Sequence, residues 1–291
     1  MQRQPLNGIY CILKPSGMTS SDAVVKLRSF LQKKFNQKIT VGHLGTLDPG
    51  ASGVLPVGVG TGVKLFSASN NNIKKYLAGF RFGITTDTLD SYGAVTQQGD
   101  AVQEEQIAEG IKPLVGKQIQ IPPIYSAKSI DGKRAYDLAR SGIEIKLEGR
   151  EIEIYSIDYK RKTDDDQFMF EIVCSGGTYI RSIVRDLAEN LGTVGYMSFL
   201  LRTESHNLSL EQSATLDEIE KNFESGFVPI SEHLKNEQII NFDEDFRFRL
   251  DNGVRLEVPT AEQPFVNIHC NNIPYGWAQV IEGKAKIVFR Y

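Results

Sequence analysis

A chain of 291 residues, 41% hydrophobic and 24% charged, is long enough to bury a sizeable core and suits one large domain plus a small one in an ordinary soluble globular protein. The amino-terminal stretch MQRQPLNGIYCILKP lacks the apolar run of a signal peptide, and no stretch reaches the ~18 apolar residues of a membrane span, so a cytoplasmic location with no membrane contact is expected. Three separated cysteines without a C-x-x-C and four scattered histidines speak against a disulfide framework and a metal site, and a net charge of −3 is neutral evidence on a nucleic-acid partner.

Distribution says more than the charge sum. Bases crowd at Lys33-Lys34-Lys38, Lys74-Lys75, Lys128-Lys133-Arg134-Arg140 and Arg150, and acids at Asp164-Asp165-Asp166 and along 204–245. Gly8 to Leu13 reads as a strand that turns at Lys14-Pro15-Ser16-Gly17. Thr19, Ser20, Ser21 and Asp22 then offer N-caps to a helix of about 14 residues whose apolar stripe is Val24, Val25, Leu27, Leu31 and Phe35. Its outer face carries Lys26, Arg28, Lys33 and Lys34, either a solvated face or an RNA contact.

Val41 to Phe66 holds seven glycines in 26 residues, and Asp48 is its one carboxylate. Proline follows the acid and glycine follows the proline, so Leu47-Asp48-Pro49-Gly50 is a tight turn ahead of the apolar strand Val54 to Val59. On the residues alone, Asp48 either satisfies the turn backbone or is a carboxylate held still for chemistry. Thr61 to Ser69 is expected to be a short helix containing Lys64. GVGTGVK lacks the phosphate-loop spacing and has Leu65 where the metal-binding hydroxyl belongs, which excludes a nucleoside-triphosphate site.

Lys74 to Ile84 alternates as a strand with Tyr76, Ala78, Phe80 and Phe82 on one face. Thr85 to Gly93 is a hairpin-like connection in which Asp87 and Asp90 read as turn formers. Glu104 to Leu114 is helical. Gln120 to Lys128 is barred from helix by its prolines, and Gly132, Tyr136 and Ala139-Arg140 are expected to follow on a helix. Glu151 to Lys162 and Gln167 to Cys174 form a hairpin across Thr163 to Asp166. Ser175-Gly176-Gly177-Thr178-Tyr179-Ile180-Arg181-Ser182 leads into a helix with Ile183, Val184, Leu187, Ala188 and Leu191 as its stripe and Gly192 as its C-cap. Arg181 falls in the first turn, where a cation opposes the helix dipole. Val194 to Leu201 is a strand, Leu216 to Phe223 a helix, and Val228-Pro229-Ile230 leads to a boundary near 240. The tail reads as short strands at Phe265 to Ile268, Trp277 to Ile281 and Lys286 to Phe289, divided by Asp251-Asn252-Gly253 and Glu282-Gly283-Lys284.

GHLGTLDPGASGVLPVGVG resembles the signature GHxGTLDPxAxGxLP of the TruB family of tRNA pseudouridine synthases. KPSGMTSSD, TDTxDxxG over 86–93, QxPPxYSA over 120–127 and GTYIR over 177–181 match further motifs of that family. The resemblance covers residues 8 to about 203 well and the tail poorly. It implies Asp48 as the catalytic nucleophile and Arg181 as its partner. Tyr76 would stack on the target base and is a candidate base for a proton in the rearrangement, with His43 and Tyr179 completing an aromatic platform, Leu200 an apolar wall, and Lys64 structural or facing a phosphate. Leu44 departs from an expected threonine or serine, and Leu201 from the usual arginine pair. Glu204 to Asn207 is also unlike the family's glycine-containing continuation.

Making pseudouridine breaks a C–N glycosidic bond, turns the uracil and joins its C5 to C1′. That chemistry is neither redox nor energy-coupled, so no cofactor is expected. It needs a carboxylate, a cation to keep it ionised and oriented, and a flipped base. The resemblance implies an α+β fold: a mixed, mainly antiparallel sheet flanked by helices over 1–240, and a small β domain over 241–291 of a reduced PUA kind. The implied partner is the T-arm stem-loop of tRNA, with no obligatory protein partner. The competing readings are a non-catalytic RNA-binding protein, a glycoside hydrolase using Asp48, and an RNA-guided relative. The hydrolase would need a second carboxylate ~5–9 Å away, which the loop does not supply, and the RNA-guided relative would carry a longer basic tail.

Overall fold

A computed structural model describes residues 6–67, 72–125, 129–130, 133–134 and 147–291. The expected segment Ser126-Ala127-Lys128 and the helix through Gly132, Tyr136 and Ala139-Arg140 lie outside the described residues.

The strands in chain order are β1 (Gly8–Lys14), β2 (Val41–His43), β3 (Ser52–Val59), β4 (Lys74–Phe82), β5 (Ile84–Thr86), β6 (Val95–Gln98), β7 (Gly116–Gln120), β8 (Ser129–Ile130), β9 (Lys133–Arg134), β10 (Arg150–Lys162), β11 (Phe168–Cys174), β12 (Gly195–Ser205), β13 (Leu208–Ser209), β14 (Phe227–Pro229), β15 (Ile239–Phe242), β16 (Leu256–Glu257), β17 (Phe265–Cys270), β18 (Ile273–Ile281) and β19 (Lys284–Arg290). The helices are α1 (Ser20–Phe35), α2 (Glu104–Ile111), α3 (Ile180–Asn190), α4 (Leu216–Lys221), α5 (Ile230–His233) and α6 (Asp245–Asp251).

Ten strands form the main sheet in the order β14-β1-β3-β12-β4-β11-β10-β7, with β2 on β3 and β13 on β12. Its pairings are antiparallel except where β12 meets β3, at Leu201↔Ser52 and Arg202↔Gly53. A second sheet, β15-β17-β18-β19-β16, makes the small carboxy-terminal β unit. This is the α+β arrangement expected from the sequence.

Alternation along each strand decides what covers it. On β1, Tyr10 and Ile12 face α1 through Ala23, Val24, Leu27 and Leu31. Ile9 and Cys11 face the opposite way, onto Phe265, Trp277 and Phe289 of the second sheet. Covering both faces explains why β1 is an almost unbroken apolar run. On β4, Tyr76, Ala78 and Phe80 pack under α3 through Ile183, Val184 and Leu187, and under α2 through Ile107 and Ile111. Thr19 caps α1 in a reciprocal box with Asp22, which satisfies two orphan groups of the first turn.

Several local expectations are corrected. Val25 is not in the stripe of α1 but 56% exposed; the period of 3.6 turns it off the face that Val24 occupies. The segment after β3 is a 3-10 helix, Gly60–Ser67, and residues 68–69 of the expected helix lie outside the described residues. Strand β12 runs on to Ser205, because β4 pairs with it as far as Ser205↔Lys74. In the tail, Asp245–Asp251 is a helix and Ile239–Phe242 a parallel strand on β17, neither of which was read from the pattern. Short elements of this kind carry too few apolar repeats to register.

Candidate active site

The loop bearing Asp48 is held by side chains from three directions. From α1, the Ser20 hydroxyl accepts from Leu47 N at 2.8 Å and donates to Leu47 O at 2.9 Å. From the end of β1, buried Lys14 donates to Pro49 O at 3.4 Å as well as to Met18 O at 2.6 Å, and Gly17 N reaches Pro49 O at 2.8 Å. From β12, fully buried Arg202 donates to Val54 O at 2.7 Å and Thr46 O at 3.1 Å. Ser16 adds a bond to Gly50 O at 2.9 Å. Backbone groups that would otherwise be buried and unpaired are thereby satisfied, and the turn is fixed in one conformation.

Arg181 enters from the first turn of α3 and is 6% exposed. Its Nε lies 2.9 Å from Asp48 Oδ2 in charge contact, without the alignment of a hydrogen bond. Its Nη1 donates to Thr88 O at 3.1 Å and Tyr125 O at 3.0 Å, and stands 3.8 Å from Asp90 Oδ2. Asp90 Oδ1 accepts from Thr88 Oγ1 at 2.6 Å and Tyr92 N at 3.0 Å, so it shapes the turn as expected and also faces Arg181. One planar guanidinium serves two carboxylates and two carbonyls, a task no lysine geometry matches. The helix start is latched by the buried Gln120 amide, which accepts from Tyr179 N at 2.8 Å and donates to Tyr179 O at 3.2 Å. Unlike a residue left on the surface, Arg181 offsets its unfavourable place near the helix dipole with these four partners.

Asp48 and Arg181 open into a cleft of about 290 Å³ that Tyr76, Tyr179 and Leu200 also line, together with Lys74, Arg150 and Met197. Five of the expected residues therefore meet: Asp48, Arg181, Tyr76, Tyr179 and Leu200. His43 and Lys64 do not line this cleft. His43 is carried by β2, opposite Val57 of β3, and burial lowers its pKa. Lys64 is exposed on the 3-10 helix behind β3. Burial pushes the Tyr76 hydroxyl up to about 12, which opposes a phenolate there near neutrality. Burial, reinforced by Arg202, pulls the Lys74 ammonium down to about 8. Among the described residues no group of three His, Cys, Asp or Glu gathers as a metal site, and no helix is long and apolar enough to cross a membrane.

Reading the sequence assigned no role in the site to Ser20, Lys14, Arg202, Asp90, Gln120 or Lys74. Lys14, Ser20, Asp90 and Gln120 do fall within the matched family motifs, whereas Lys74 shows as a lysine in phase with Tyr76, Ala78 and Phe80 on the apolar face of a strand. Two of the three departures have a place in the packing. Leu44 is 1% exposed and packs with Ile9, Leu65 and Trp277 against the second sheet, while its backbone N–H reaches Pro56 O at 2.8 Å without a side-chain hydroxyl. Leu201 borders the groove between α1 and α4, leaving Arg202 alone to hold the loop.

Residues 32–180 match the family model described as TruB family pseudouridylate synthase, N-terminal domain. A protein of Clostridium tetani named tRNA pseudouridine synthase B is 40% identical over 87% of this chain and 86% of its own length. Proteins of the same name from Alkaliphilus oremlandii and Caldanaerobacter subterraneus subsp. tengcongensis are, respectively, 42% identical over 79% of this chain and 76% of the former's length, and 36% identical over 96% of this chain and 96% of the latter's length. Among solved structures, a chain of a Cbf5–Nop10–Gar1 complex superposes with a TM-score of 0.71 at 21% identity, over 98% of this chain and 84% of that one. At that identity the likeness concerns the fold, which the two share. The chain belongs to the TruB family of pseudouridylate synthases.

Proposed function

We propose that this chain isomerises uridine 55 in the T-loop of tRNA to pseudouridine, with the target base flipped into the cleft and Asp48 as nucleophile. The observation that carries the reading is the Asp48 carboxylate set 2.9 Å from buried Arg181, at the wall of a cleft that also presents Tyr76, Tyr179 and Leu200. The relatives named tRNA pseudouridine synthase B supply the substrate class, and work on tRNA fits a cytoplasmic location.

In this mechanism an Asp48 oxygen forms a bond to C1′ as the C1′–N1 bond breaks, and the electron pair passes into the uracil ring. The detached uracil turns, and its C5 displaces the carboxylate from C1′. The C5 proton is then lost and N1 gains one, so nothing is consumed. Arg181, 2.9 Å away, aims the Asp48 carboxylate. Unstacking the base costs on the order of a few kcal/mol, which contact with Tyr76 and Tyr179 offsets. A splayable loop suits recognition by shape and stacking. A glycoside hydrolase would need a second carboxylate acting as acid or base; Asp90 is the other carboxylate at Arg181, and its oxygens are occupied by Thr88, Tyr92 and Arg181. Residues 241–291 act as a reduced RNA-binding module of the PUA kind, seated on β1 by Phe265, Trp277 and Phe289.

The test is tritium release from tRNA labelled at uracil C5. The native chain is expected to release one equivalent per tRNA and Asp48→Asn none. Release by both proteins removes Asp48 from the mechanism, and binding without release by the native chain makes this an RNA-binding protein.

A further inference from the structure

We propose that Lys74 is the electrophilic group of the cleft, its ammonium donating to a carbonyl oxygen of the target uracil and holding the negative charge that the base acquires as the reaction begins. This rests on the isomerase reading above. Lys74 opens β4 two residues before Tyr76, so both side chains leave the same face of the strand, and both line the cleft with Asp48. The residue is 8% exposed, and its ammonium lies against the catalytic loop: a Cβ placed on Gly45 would stand 3.4 Å from Lys74 Nζ. Glycine at 45, with φ of +106°, leaves the room that this approach requires.

Burying an ammonium is costly unless a partner offsets it, yet Lys74 forms no ion pair among the described residues, whereas its neighbour Lys75 is paired with Glu204 at 2.6 Å. Arg181, the other buried cation of the cleft, is committed to Asp48, Asp90 and two carbonyls. An unpaired buried cation beside a reaction centre fits a site built for charge that is absent until the substrate reacts. Uracil supplies such charge by every route open to a carboxylate. Attack at C1′, or loss of a sugar proton followed by cleavage, sends the C1′–N1 pair into the ring and onto O2 and O4. Addition at C6 sends the C5=C6 pair toward O4. In each case a donor at a carbonyl oxygen stabilises the charge, and in none can Arg181 leave Asp48 to provide it.

The charged and titratable groups that face Lys74 or share its cleft are Arg202 from β12, His206 from the hairpin beyond it, Cys174 from β11, Arg150 from β10, Tyr179 and Arg181 at the start of α3, Tyr76 on its own strand and Asp48 beyond Gly45. Burial places His206 at about 3, Cys174 at about 11 and Tyr76 at about 12. Of those three and Lys74, only Lys74, at about 8, changes charge between neutrality and mild alkali. Lys14 also titrates near 8, but through its bonds to the loop rather than from within the cleft.

The experiment compares native protein, Lys74→Met and Lys74→Arg in single-turnover conversion of tRNA, in tRNA affinity against salt, and in thermal melting. Removing one preorganised donor to a developing oxyanion costs on the order of 10²–10³-fold in rate. K74M is expected to lose about that factor at pH ~7 while its tRNA affinity stays within about twofold and its melting temperature rises, because a buried charge has gone. K74R is expected to recover most of the rate and to lose less of it than the native chain between pH ~7 and ~9.5, since guanidinium stays charged. A K74M as fast as the native chain overturns the proposal. So does a variant that keeps its rate at saturation but binds tRNA weakly with a salt slope lower by about one, the mark of a phosphate contact. A native chain that binds tRNA without turnover overturns the isomerase reading and this proposal with it.

Discussion

Replacing Ser20 by alanine tests whether the aspartate loop is pinned through α1. One hydroxyl, 4% exposed, accepts from Leu47 N and donates to Leu47 O at 2.8 and 2.9 Å. Alanine leaves both buried backbone groups without this partner, and each unsatisfied group costs about 1–3 kcal/mol. Alanine at the start of a helix returns a few tenths of a kcal/mol at most. The net loss is therefore about 2–5 kcal/mol, or a melting temperature lower by roughly 4–10 °C for a chain of this size. Leu47 immediately precedes Asp48, so a loop that relaxes to find new partners also moves the carboxylate. A displacement of about 1 Å in a reacting group costs on the order of 10²-fold in rate. Urea unfolding followed by tryptophan fluorescence gives the first quantity, and single-turnover tritium release gives the second. A variant within about 0.5 kcal/mol of native that also keeps its rate constant would refute the idea that this bond pair positions the site.

Two further outcomes concern stability alone. Leu44→Thr exchanges a fully packed side chain at the junction with the second sheet for a shorter one with a hydroxyl that finds only apolar neighbours, at about 2–4 kcal/mol; urea unfolding and faster proteolysis of the carboxy-terminal unit should both report it, and unchanged midpoints would show that the junction repacks freely. Lys74 in the fold sits at about 8, below its unfolded value of about 10.4. The unfolded chain thus binds more protons between those values, and this residue's contribution to stability rises with pH across that window. The advantage of K74M over the native chain, on the order of 3 kcal/mol at pH ~7, should shrink from pH ~8 and vanish above ~10 in melts run across pH. A constant advantage would assign it to packing instead of charge.

Much of the architecture was legible because strands and helices declare themselves through neighbours in sequence. Thr19 and Asp22 announce the start of α1, and the period-two face of β4 announces a strand with one side in the core. The glycine-rich loop, the lone Asp48 and the GTYIR stretch pointed to one site, and Asp48, Tyr76, Tyr179, Arg181 and Leu200 do line one cleft. His43 and Lys64 share the same resemblance but sit outside the cleft, since a motif specifies residues and not the direction in which a strand or a 3-10 helix carries each side chain. Val25 was placed in the core by its apolar character, though the helical period turns it outward.

What the chain's own order determined, then, was most of the elements, their caps and turns, and a candidate carboxylate and cation, which the structure sets 2.9 Å apart. The tertiary structure decided which residues hold those two in place. Lys14, Ser20 and Arg202 converge on the loop because the sheet order sets β1, β3 and β12 side by side, while Gln120 comes from β7 at the far edge and Asp90 from the turn between β5 and β6. The bond from Arg202 to Val54 O spans 148 positions in sequence. No local pattern encodes such a contact: hydrophobic periodicity reports which face is buried, whereas the partner of a buried polar group depends on which strand lies alongside.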